Sequence, residues 1–245
     1  MISSNETLDA LFDGRLTLLQ SRSGYRFSLD ALLLAYFVTV KAGERVIDLG
    51  TGNGVLALVL AHLHPTAALT GIELQSAMAA RAGRNVELNG LQSRIKILHA
   101  DVRHISDRMS SASFDAVVCN PPYRKPSSGR TSPNAERRAA RHETYGELED
   151  FLRAAAHLLR PKGRMALCYP AVRLIDLIAA MHQLRIEPKR LRLVHSFLHS
   201  GASLVLVEGV KGGRVGLAVA PPLIIYRDGN RYGDEVAAMI AGLPK

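Results

Sequence analysis

An asparagine, two prolines and a tyrosine stand together directly after the apolar run FDAVVC, at residues 120–123. The prolines fix φ and remove two N–H donors, which leaves carbonyl oxygens free to accept hydrogen bonds. The amide oxygen of Asn120 and the carbonyl oxygen of Pro121 can accept both hydrogens of an amine, while Tyr123 stacks on the flat ring that carries it. Such acceptors stabilise the positive charge that develops when the nitrogen attacks an electrophile. The predicted catalytic residues are therefore Asn120, Pro121, Pro122 and Tyr123.

A glycine-rich turn follows the apolar run RVIDL, at residues 50–54. Glycine permits a positive φ and lets a ligand approach the backbone closely. The glycines are spaced G-x-G-x-G, and Val55 stands where a dinucleotide-binding fingerprint has its third glycine. Asp48, two residues before the first glycine, repels a pyrophosphate but suits a ligand with a cationic ammonium group. The turn therefore favours S-adenosylmethionine over NAD as the cofactor.

Two further carboxylates extend this cofactor hypothesis. Glu73 ends the second strand-like run, where a carboxylate can accept hydrogen bonds from ribose hydroxyls. Asp101 follows the third run, in the sequence LHADVR, where it can accept a hydrogen bond from the adenine amino group of the cofactor. Each motif has a structural alternative, because Asp48 and Asp101 can cap helices and a Pro-Pro turn can simply end a strand.

An alternation of strand-like and helix-like runs supplies the scaffold that these motifs need. The predicted core strands cover residues 45–49, 68–72, 95–99, 114–119 and 164–169, followed by an antiparallel pair at 190–195 and 203–208. Helices are predicted at 55–62, 77–89, 148–159 and 171–184. The alternation is typical of βαβ units around a parallel sheet, in which ligands bind outside the carboxyl ends of the strands. The glycine turn and the catalytic tetrapeptide are therefore expected to face one crevice.

Two flanking segments lie outside this alternation. Residues 1–40 contain a predicted helix at 8–12 and a strand at 16–20. Residues 209–232 are predicted to form a β-hairpin appendage from the runs at 215–220 and 223–226, before a terminal helix at 234–241. Neither segment is long enough to be a domain, so a single domain over residues 1–245, with its core sheet at 41–208, is expected.

Composition narrows the class of protein. The 245 residues carry a formal net charge of +9, which favours a polyanionic partner such as nucleic acid. The two cysteines, Cys119 and Cys168, follow apolar strand-like runs and are expected to be buried free thiols in a reducing compartment. No secretory signal, no apolar run of membrane-spanning length and no metal-ligand spacing is present, so a cytoplasmic protein without a metal is expected.

A basic segment follows the catalytic tetrapeptide. Residues 124–142 contain six lysines or arginines and one glutamate, interspersed with proline, serine and glycine. The hypothesis is a clamp that holds the phosphates of a nucleic acid beside the catalytic residues, and the alternative is a solvated loop. The predicted nucleic-acid-binding residues are Arg124, Lys125, Arg130, Arg137, Arg138 and Arg141. A second cluster, at residues 185–192, either extends this track or is merely a solvated helix end.

The chain resembles the class I methyltransferases of the N6-adenine type, and among them the bacterial tRNA(Val) adenine-N6 methyltransferases. The stretches that carry the resemblance are residues 8–20, 24–37, 119–143, 187–195, 204–213 and 221–226, besides VIDLGTGNG and NPPY. The family implies a Rossmann-like α/β fold with a seven-stranded, mostly parallel sheet whose last strand is antiparallel, and helices on both faces. It also implies S-adenosylmethionine as methyl donor and a flipped-out anticodon-loop adenine of tRNA as acceptor.

The resemblance also assigns residues. By motif, the cofactor-binding residues would be Asp48, Gly50, Thr51, Gly52, Asn53, Glu73, Leu74, Asp101, Val102 and Asn120, with Tyr25, Arg26 and Phe27 from a segment that covers the cofactor. One departure is Arg124, which follows the tetrapeptide where related enzymes often carry an aromatic residue. It weakens the stacking argument and adds a cation that can contact phosphate.

Four other functions remain as alternatives. A protein glutamine methyltransferase uses the same tetrapeptide, but that family carries a substantial N-terminal helical domain, and only residues 1–44 precede the first core strand here. A DNA adenine methyltransferase needs a larger recognition insertion, and a nicotinamide-dependent dehydrogenase leaves Val55 and the tetrapeptide unexplained. Intact Asp48, Glu73 and Asn120 argue against an inactive RNA-binding module. The sequence does not determine the oligomeric state.

Overall fold

The structure is a computed structural model that describes residues 3–23, 28–121 and 147–243. The described strands are β1 (Glu6–Leu11), β2 (Leu16–Ser21), β3 (Arg45–Leu49), β4 (Ala68–Glu73), β5 (Ile95–His99), β6 (Phe114–Cys119), β7 (Leu159–Pro170), β8 (Ile186–His195), β9 (Ala202–Lys211), β10 (Ala218–Val219), β11 (Leu223–Ile224), β12 (Tyr226–Asp228) and β13 (Arg231–Tyr232). The described α-helices are α1 (Leu29–Phe37), α2 (Val55–Leu63), α3 (Ser76–Leu88), α4 (Leu148–Leu158), α5 (Leu174–Gln183) and α6 (Asp234–Ile240). Short 3₁₀ turns cover Val102–Asp107 and Ala171–Arg173.

The central sheet has the strand order β8-β9-β7-β6-β3-β4-β5. Strands β5, β4, β3, β6 and β7 are parallel neighbours, whereas β9 is antiparallel to both β7 and β8. The predicted seven strands therefore form the core of the sheet, mostly parallel and with the last of them, β9, antiparallel. The short strands β10 and β11 also pair with β8, so the whole sheet has nine strands, two more than predicted. The order reverses at β3, which pairs with β4 on one side and β6 on the other, and such a switch point opens a crevice at the carboxyl ends of the strands.

Helices cover both faces of this sheet, as expected. Alternate side chains of each parallel strand point to opposite faces, so Val46 packs with α1 and α2 while Ile47 packs with α4 and α5. Strand β6 is buried along its whole length, which explains its unbroken apolar composition. Cys119 and Cys168 are buried free thiols, as predicted. No helix in these three described ranges is long and apolar enough to cross a membrane.

The N-terminal prediction of a helix at 8–12 is wrong. Residues 6–11 form β1, which pairs antiparallel with β2 from Glu6↔Ser21 to Leu11↔Leu16. The side chains of Asn85 on α3 and of Asn89, which directly follows α3, then bond the β2 backbone at Leu19 and Thr17. Each side chain does so through both its oxygen and its nitrogen atom. These long-range contacts outweigh local helix propensity, which is a weak determinant for so short a segment.

The C-terminal prediction is wrong in its pairing. The runs at 215–220 and 223–226 do not pair with each other, because β10 and β11 each pair parallel with β8. The intervening Pro221 and Pro222 hold the backbone extended, so the chain continues along β8 instead of reversing. The hairpin of this region is β12–β13, which turns at Gly229 with a φ of 52°.

Candidate active site

A cleft opens at the carboxyl ends of β3, β4 and β6, with about 780 Å³ of empty space that includes its opening to solvent. The predicted cofactor-binding residues that line it are Asp48, Gly50, Thr51, Gly52, Asn53, Glu73, Leu74, Val102 and Asn120. Nine residues separated by as many as 72 positions in the chain therefore meet around one space.

The glycine turn forms one wall of this cleft and folds back onto β4. The backbone N–H groups of Gly50 and Thr51 both donate to the carbonyl oxygen of Ile72, at 2.9 and 2.8 Å. Gly50, Gly52 and Gly54 have φ values of 76°, 59° and 84°, which side-chain-bearing residues rarely adopt. A Cβ atom at Gly50 would also lie 3.2 Å from the Phe151 ring, so the turn requires glycine there.

Asp48 is buried beneath the turn. Its Oδ2 atom accepts a hydrogen bond of 2.6 Å from the Thr51 hydroxyl, but its Oδ1 atom has no hydrogen-bond partner among the described residues. Burial raises the pKa of Asp48 to about 7, against the opposing effect of the Thr51 hydrogen bond and with a further increase from the charge of Glu73. A cationic ligand group in the cleft would supply the missing partner and favour the ionised carboxylate.

Glu73 joins the turn to the start of α3. Its Oε2 atom accepts from the backbone N–H of Gly52 at 2.9 Å, and its Oε1 atom accepts from Gln75 at 2.8 Å. Burial raises the pKa of Glu73, and these backbone hydrogen bonds oppose that increase. Each carboxylate oxygen has lone pairs left, so Glu73 can still accept from ligand hydroxyl groups while it holds the turn.

Three residues that line the cleft each have a buried polar atom without a hydrogen-bond partner among the described residues. These atoms are Asp48 Oδ1, Asn53 Nδ2 and Asn120 Oδ1. An unpaired buried polar atom costs folding free energy, so such atoms mark positions where a ligand completes the hydrogen bonding. Asn120 directly follows β6, where its amide oxygen is available as an acceptor.

Asp101 has a different environment. It precedes the 3₁₀ turn at Val102–Asp107 and accepts a hydrogen bond of 2.9 Å from the backbone N–H of Arg103. The Arg103 guanidinium also pairs with it at 2.6 Å and lowers the pKa of Asp101. Ala100 and Val102 line the cleft, but Asp101 is not among its lining residues. Its contacts are those of the capping alternative.

Several predicted site residues lie outside the described residues. These are Tyr25, Arg26 and Phe27, Pro122 and Tyr123 of the tetrapeptide, and the six cations Arg124, Lys125, Arg130, Arg137, Arg138 and Arg141. Pro121 is described and buried, beside Asn120. The roles assigned to the other residues therefore remain predictions.

Sequence reasoning missed the side chains that complete the cleft. Phe151 comes from α4, Met78 comes from the first turn of α3, and Gln75 directly precedes α3. The helical spacing of Leu148, Phe151 and Leu152 indicates a buried face, but it does not reveal that one of these residues borders a cleft. Within the described ranges, no group of three or more His, Cys, Asp or Glu side chains is arranged to hold a metal ion.

Comparisons with known proteins agree with this architecture. The family model of the methyltransferase small domain matches residues 28–172. A tRNA1(Val) (adenine(37)-N6)-methyltransferase of Porphyromonas gingivalis strain W83 is 32% identical over 195 residues, which cover 77% of this chain and 76% of that protein. The protein of the same name from Tolumonas auensis is 31% identical over 182 residues, which cover 70% and 73%.

Solved structures share the fold. The crystal structure of a predicted O-methyltransferase from Agrobacterium tumefaciens superposes with a TM-score of 0.72 at 27% sequence identity, covering 88% of this chain and 97% of that one. A transferase structure from Pyrococcus horikoshii has a TM-score of 0.60 at 14% identity, covering 85% and 72%, and indicates likeness of fold alone. The sheet order, the cleft and its glycine turn thus occur in a fold that other methyltransferases also use.

Proposed function

Because this chain belongs to the methyltransferase small-domain family, we propose that it transfers the methyl group of S-adenosylmethionine to the N6 amine of an adenine in tRNA. The observation that carries the proposal is the unpartnered amide oxygen of Asn120 at the cofactor cleft. Two relatives at 31–32% identity that carry the tRNA1(Val) (adenine(37)-N6)-methyltransferase name support the same acceptor. The anticodon-loop adenine of tRNA(Val) is therefore the proposed target.

The cleft residues fit this cofactor. The Oδ1 atom of Asp48, which has no partner among the described residues, would accept a hydrogen bond from the ammonium group of the cofactor. Glu73 would accept from the ribose hydroxyls of the cofactor while holding the turn. The positive φ values of Gly50 and Gly52 keep side chains away from the bound molecule. S-adenosylmethionine, when bound, supplies a methyl group on a positively charged sulfur.

Asn120 and Pro121 act on the acceptor amine. Their carbonyl oxygens accept its two hydrogens, which draws the nitrogen out of conjugation with the adenine ring and directs its lone pair toward the methyl group. When the methyl group is transferred, the two fixed acceptors would stabilise the positive charge that develops on the nitrogen until one hydrogen leaves as a proton to water. No buried general base is needed for this step, because the amine loses its proton after it is methylated.

The tRNA partner rests on charge as well as on the relatives. The chain carries a net charge of +9, and six cations lie in the segment that follows the tetrapeptide. They would contact the phosphates on either side of a flipped adenine, in the role that the sequence predicts for them. A tRNA substrate also implies a cytoplasmic protein.

Other planar amines are the competing acceptors. Protein glutamine, ribosomal RNA adenine and DNA adenine present the same two hydrogens to Asn120, and the similar Agrobacterium structure is described as an O-methyltransferase, whose acceptor is a hydroxyl group. A hydroxyl offers one hydrogen, so it would use only one of the two acceptor oxygens. The chemistry of the product therefore distinguishes these possibilities.

The test is methyl transfer from labelled S-adenosylmethionine to total tRNA from a strain that lacks this gene, followed by nucleoside mass spectrometry. We expect N6-methyladenosine with the wild type and none with Asn120→Ala. Asn5→Ala is the matched control, since Asn5 is exposed outside the cleft. A ribose-methylated nucleoside, or label that enters only DNA, ribosomal RNA or protein, would refute the proposed acceptor.

A further inference from the structure

Three aromatic rings form a row on the surface, away from the cofactor cleft. The Tyr226 ring lies between the others, with its centroid 5.5 Å from that of Phe197 and 5.3 Å from that of Tyr232. The planes of Tyr226 and Tyr232 differ by 20°, so these two rings are stacked. Phe197 and Tyr232, at the ends of the row, are 42% and 41% exposed. Rings of such size are usually covered, so their exposure indicates a contact surface.

The row lies at the same edge of the sheet as Asn120. Strand β8 runs parallel to β6, since β9 is antiparallel to both β7 and β8, and Phe197 follows the carboxyl end of β8. Tyr226 is held there because its N–H donates to the carbonyl oxygen of Ser196 at 2.9 Å. Three strand spacings separate β8 from β6, which is roughly 14 Å.

Strand β7 lies between β6 and β8 in the sheet, and exposed apolar side chains follow its carboxyl end. Val172 and Ile175 follow the carboxyl end of β7 and are 92% and 80% exposed. Leu198, beside the aromatic row, is 66% exposed. Exposed apolar side chains therefore follow the carboxyl ends of both β7 and β8, at the edge of the sheet that carries Asn120.

The charges beside the row suit a polyanion. Arg227 and Arg231 belong to the same hairpin as Tyr226 and Tyr232, and their side chains are 71% and 79% exposed. Each pairs with a carboxylate, Asp234 or Asp228, but exposed pairs of this kind contribute little and exchange readily for a phosphate. A stacking surface flanked by guanidinium groups is typical of sites for unpaired nucleotides.

We propose that Phe197, Tyr226 and Tyr232 form a stacking platform for unpaired nucleobases of the RNA substrate, beside the site that receives the target adenine. This inference rests on the proposed function, because it assigns the platform to the same RNA. Nucleobases that neighbour the flipped adenine stack on the exposed ring faces, while Arg227 and Arg231 contact their phosphates. The platform would hold the RNA without touching the reacting atoms.

The test compares kinetics of ring-removing and ring-keeping variants. We expect Phe197→Ala and Tyr232→Ala each to raise the KM for tRNA about tenfold, as loss of one base–aromatic stack does, while kcat at saturating RNA stays within about twofold. Tyr232→Phe should retain the wild-type KM because it keeps the ring. Val215→Ala is the control, since Val215 is 83% exposed in the segment that precedes β10. Cofactor affinity should not change in any variant.

A second measurement reads stacking directly. An anticodon stem-loop with 2-aminopurine beside the target adenine should lose fluorescence on binding the wild type and Tyr232→Phe, and lose less on binding Tyr232→Ala. The platform is refuted if the wild type methylates tRNA while the alanine variants keep its KM. It is also refuted if sedimentation velocity shows a wild-type dimer that the alanine variants dissociate, because the rings are then a protein interface. A wild type that methylates no RNA would instead overturn the proposed function. Failure of the proposed function and failure of the platform therefore give different results.

Discussion

Glu6 and Asp48 are buried to a similar degree, at 4% and 2% exposure, but their environments are opposite. Glu6 pairs with Arg81 and Arg84, and chiefly the hydrogen bond from Arg84 lowers the pKa of Glu6 to about 2. Asp48 has the Thr51 hydroxyl as its one hydrogen-bond partner among the described residues, and burial raises the pKa of Asp48 to about 7. The described part of the chain thus supplies partners for both oxygens of the first carboxylate but for one oxygen of the second.

The asparagines show the same contrast. Asn85 bonds Leu19 through its oxygen and its nitrogen, and its nitrogen also donates to the carbonyl oxygen of Asn53 at 2.9 Å. In the cleft, Asn53 Nδ2 and Asn120 Oδ1 have no partner within the described ranges. Buried asparagine groups with partners hold the N-terminal hairpin in place, whereas these two atoms in the cleft have none among the described residues and are available to a ligand.

The largest effect is expected from Asn120→Ala. Loss of one preorganised group at a reacting centre lowers kcat by about 100-fold to 1,000-fold, or roughly 3–4 kcal/mol. The midpoint of thermal unfolding should not fall, because the amide oxygen bonds nothing in the described part of the chain. Steady-state kinetics and calorimetry measure the two quantities. If Asn120→Ala lost as much unfolding free energy as it lost in transition-state stabilisation, the contrast between the cleft and the N-terminal hairpin would be refuted.

Glu6→Gln tests the N-terminal hairpin, where the buried carboxylate already has its partners. Breaking a buried ion pair costs about 3 kcal/mol of unfolding free energy, at the low end of the usual range because the Arg84 side chain is 37% exposed. The lowered pKa of Glu6 also adds stability that the wild type loses as pH falls from 4.5 to about 2, and the variant should lack this loss. Urea unfolding across that range measures both.

The matched control for Glu6→Gln is Glu149→Gln. Glu149 pairs with Arg153 on the surface of α4, where both side chains are about 60% exposed. Exposed pairs contribute about 0–1 kcal/mol, so this variant should unfold like the wild type. Equal losses in the two variants would show that burial of Glu6 is not what matters.

Asn85→Ala should affect both regions. Removing its hydrogen bonds leaves the buried backbone of Leu19 unpaired, at a cost of about 2 kcal/mol. Because Asn85 also bonds the carbonyl oxygen of Asn53, the glycine turn loses a support and S-adenosylmethionine should bind several-fold more weakly. Asn89→Ala is the control, since Asn89 bonds Thr17 and not the turn. Isothermal titration of both variants would reveal whether cofactor affinity falls in Asn85→Ala alone.

The last prediction concerns the pH dependence of cofactor binding, in which the chain itself is unchanged. The pKa of Asp48 is about 7, so in the free protein the carboxylate is protonated below that pH. A cationic ligand prefers the ionised form, and its affinity should therefore fall up to tenfold per unit as pH drops below about 7. The same raised pKa makes the free protein lose stability as pH rises from 3.8 to about 7. Binding by Asp48→Asn should be weak and independent of pH over this range.

Local motifs made the core of the site predictable. The glycine turn and Asn120 each follow a strand whose apolar run is evident in the sequence, and the carboxyl ends of parallel strands necessarily share an edge. Phe151 and Met78 were not predictable, since only the packing of α3 and α4 brings them to the cleft. Asp101 has the same sequence pattern whether it caps a turn or contacts a ligand, and its side chain bonds Arg103.

The two wrong fold predictions have a common physical origin. The segment at 8–12 is too short to reveal its own structure. It forms a strand because it pairs with β2, and Asn85, which holds β2 in place, is distant in the chain. A hairpin was expected at 215–226 because two apolar runs flank a pair of prolines, but the partner of both runs is β8. Local patterns indicate extended or helical character, whereas pairing depends on the rest of the sheet.

Strands β10 and β11 have a consequence for how the protein behaves in a crowded solution. Strand β8 is ten residues long and would otherwise end the sheet with a row of unpaired N–H and C=O groups. Such a row is a template onto which another chain can add a strand. By laying β10 and β11 along it, with Pro221 and Pro222 in the gap, the chain occupies that template with its own backbone and guards against edge-to-edge aggregation.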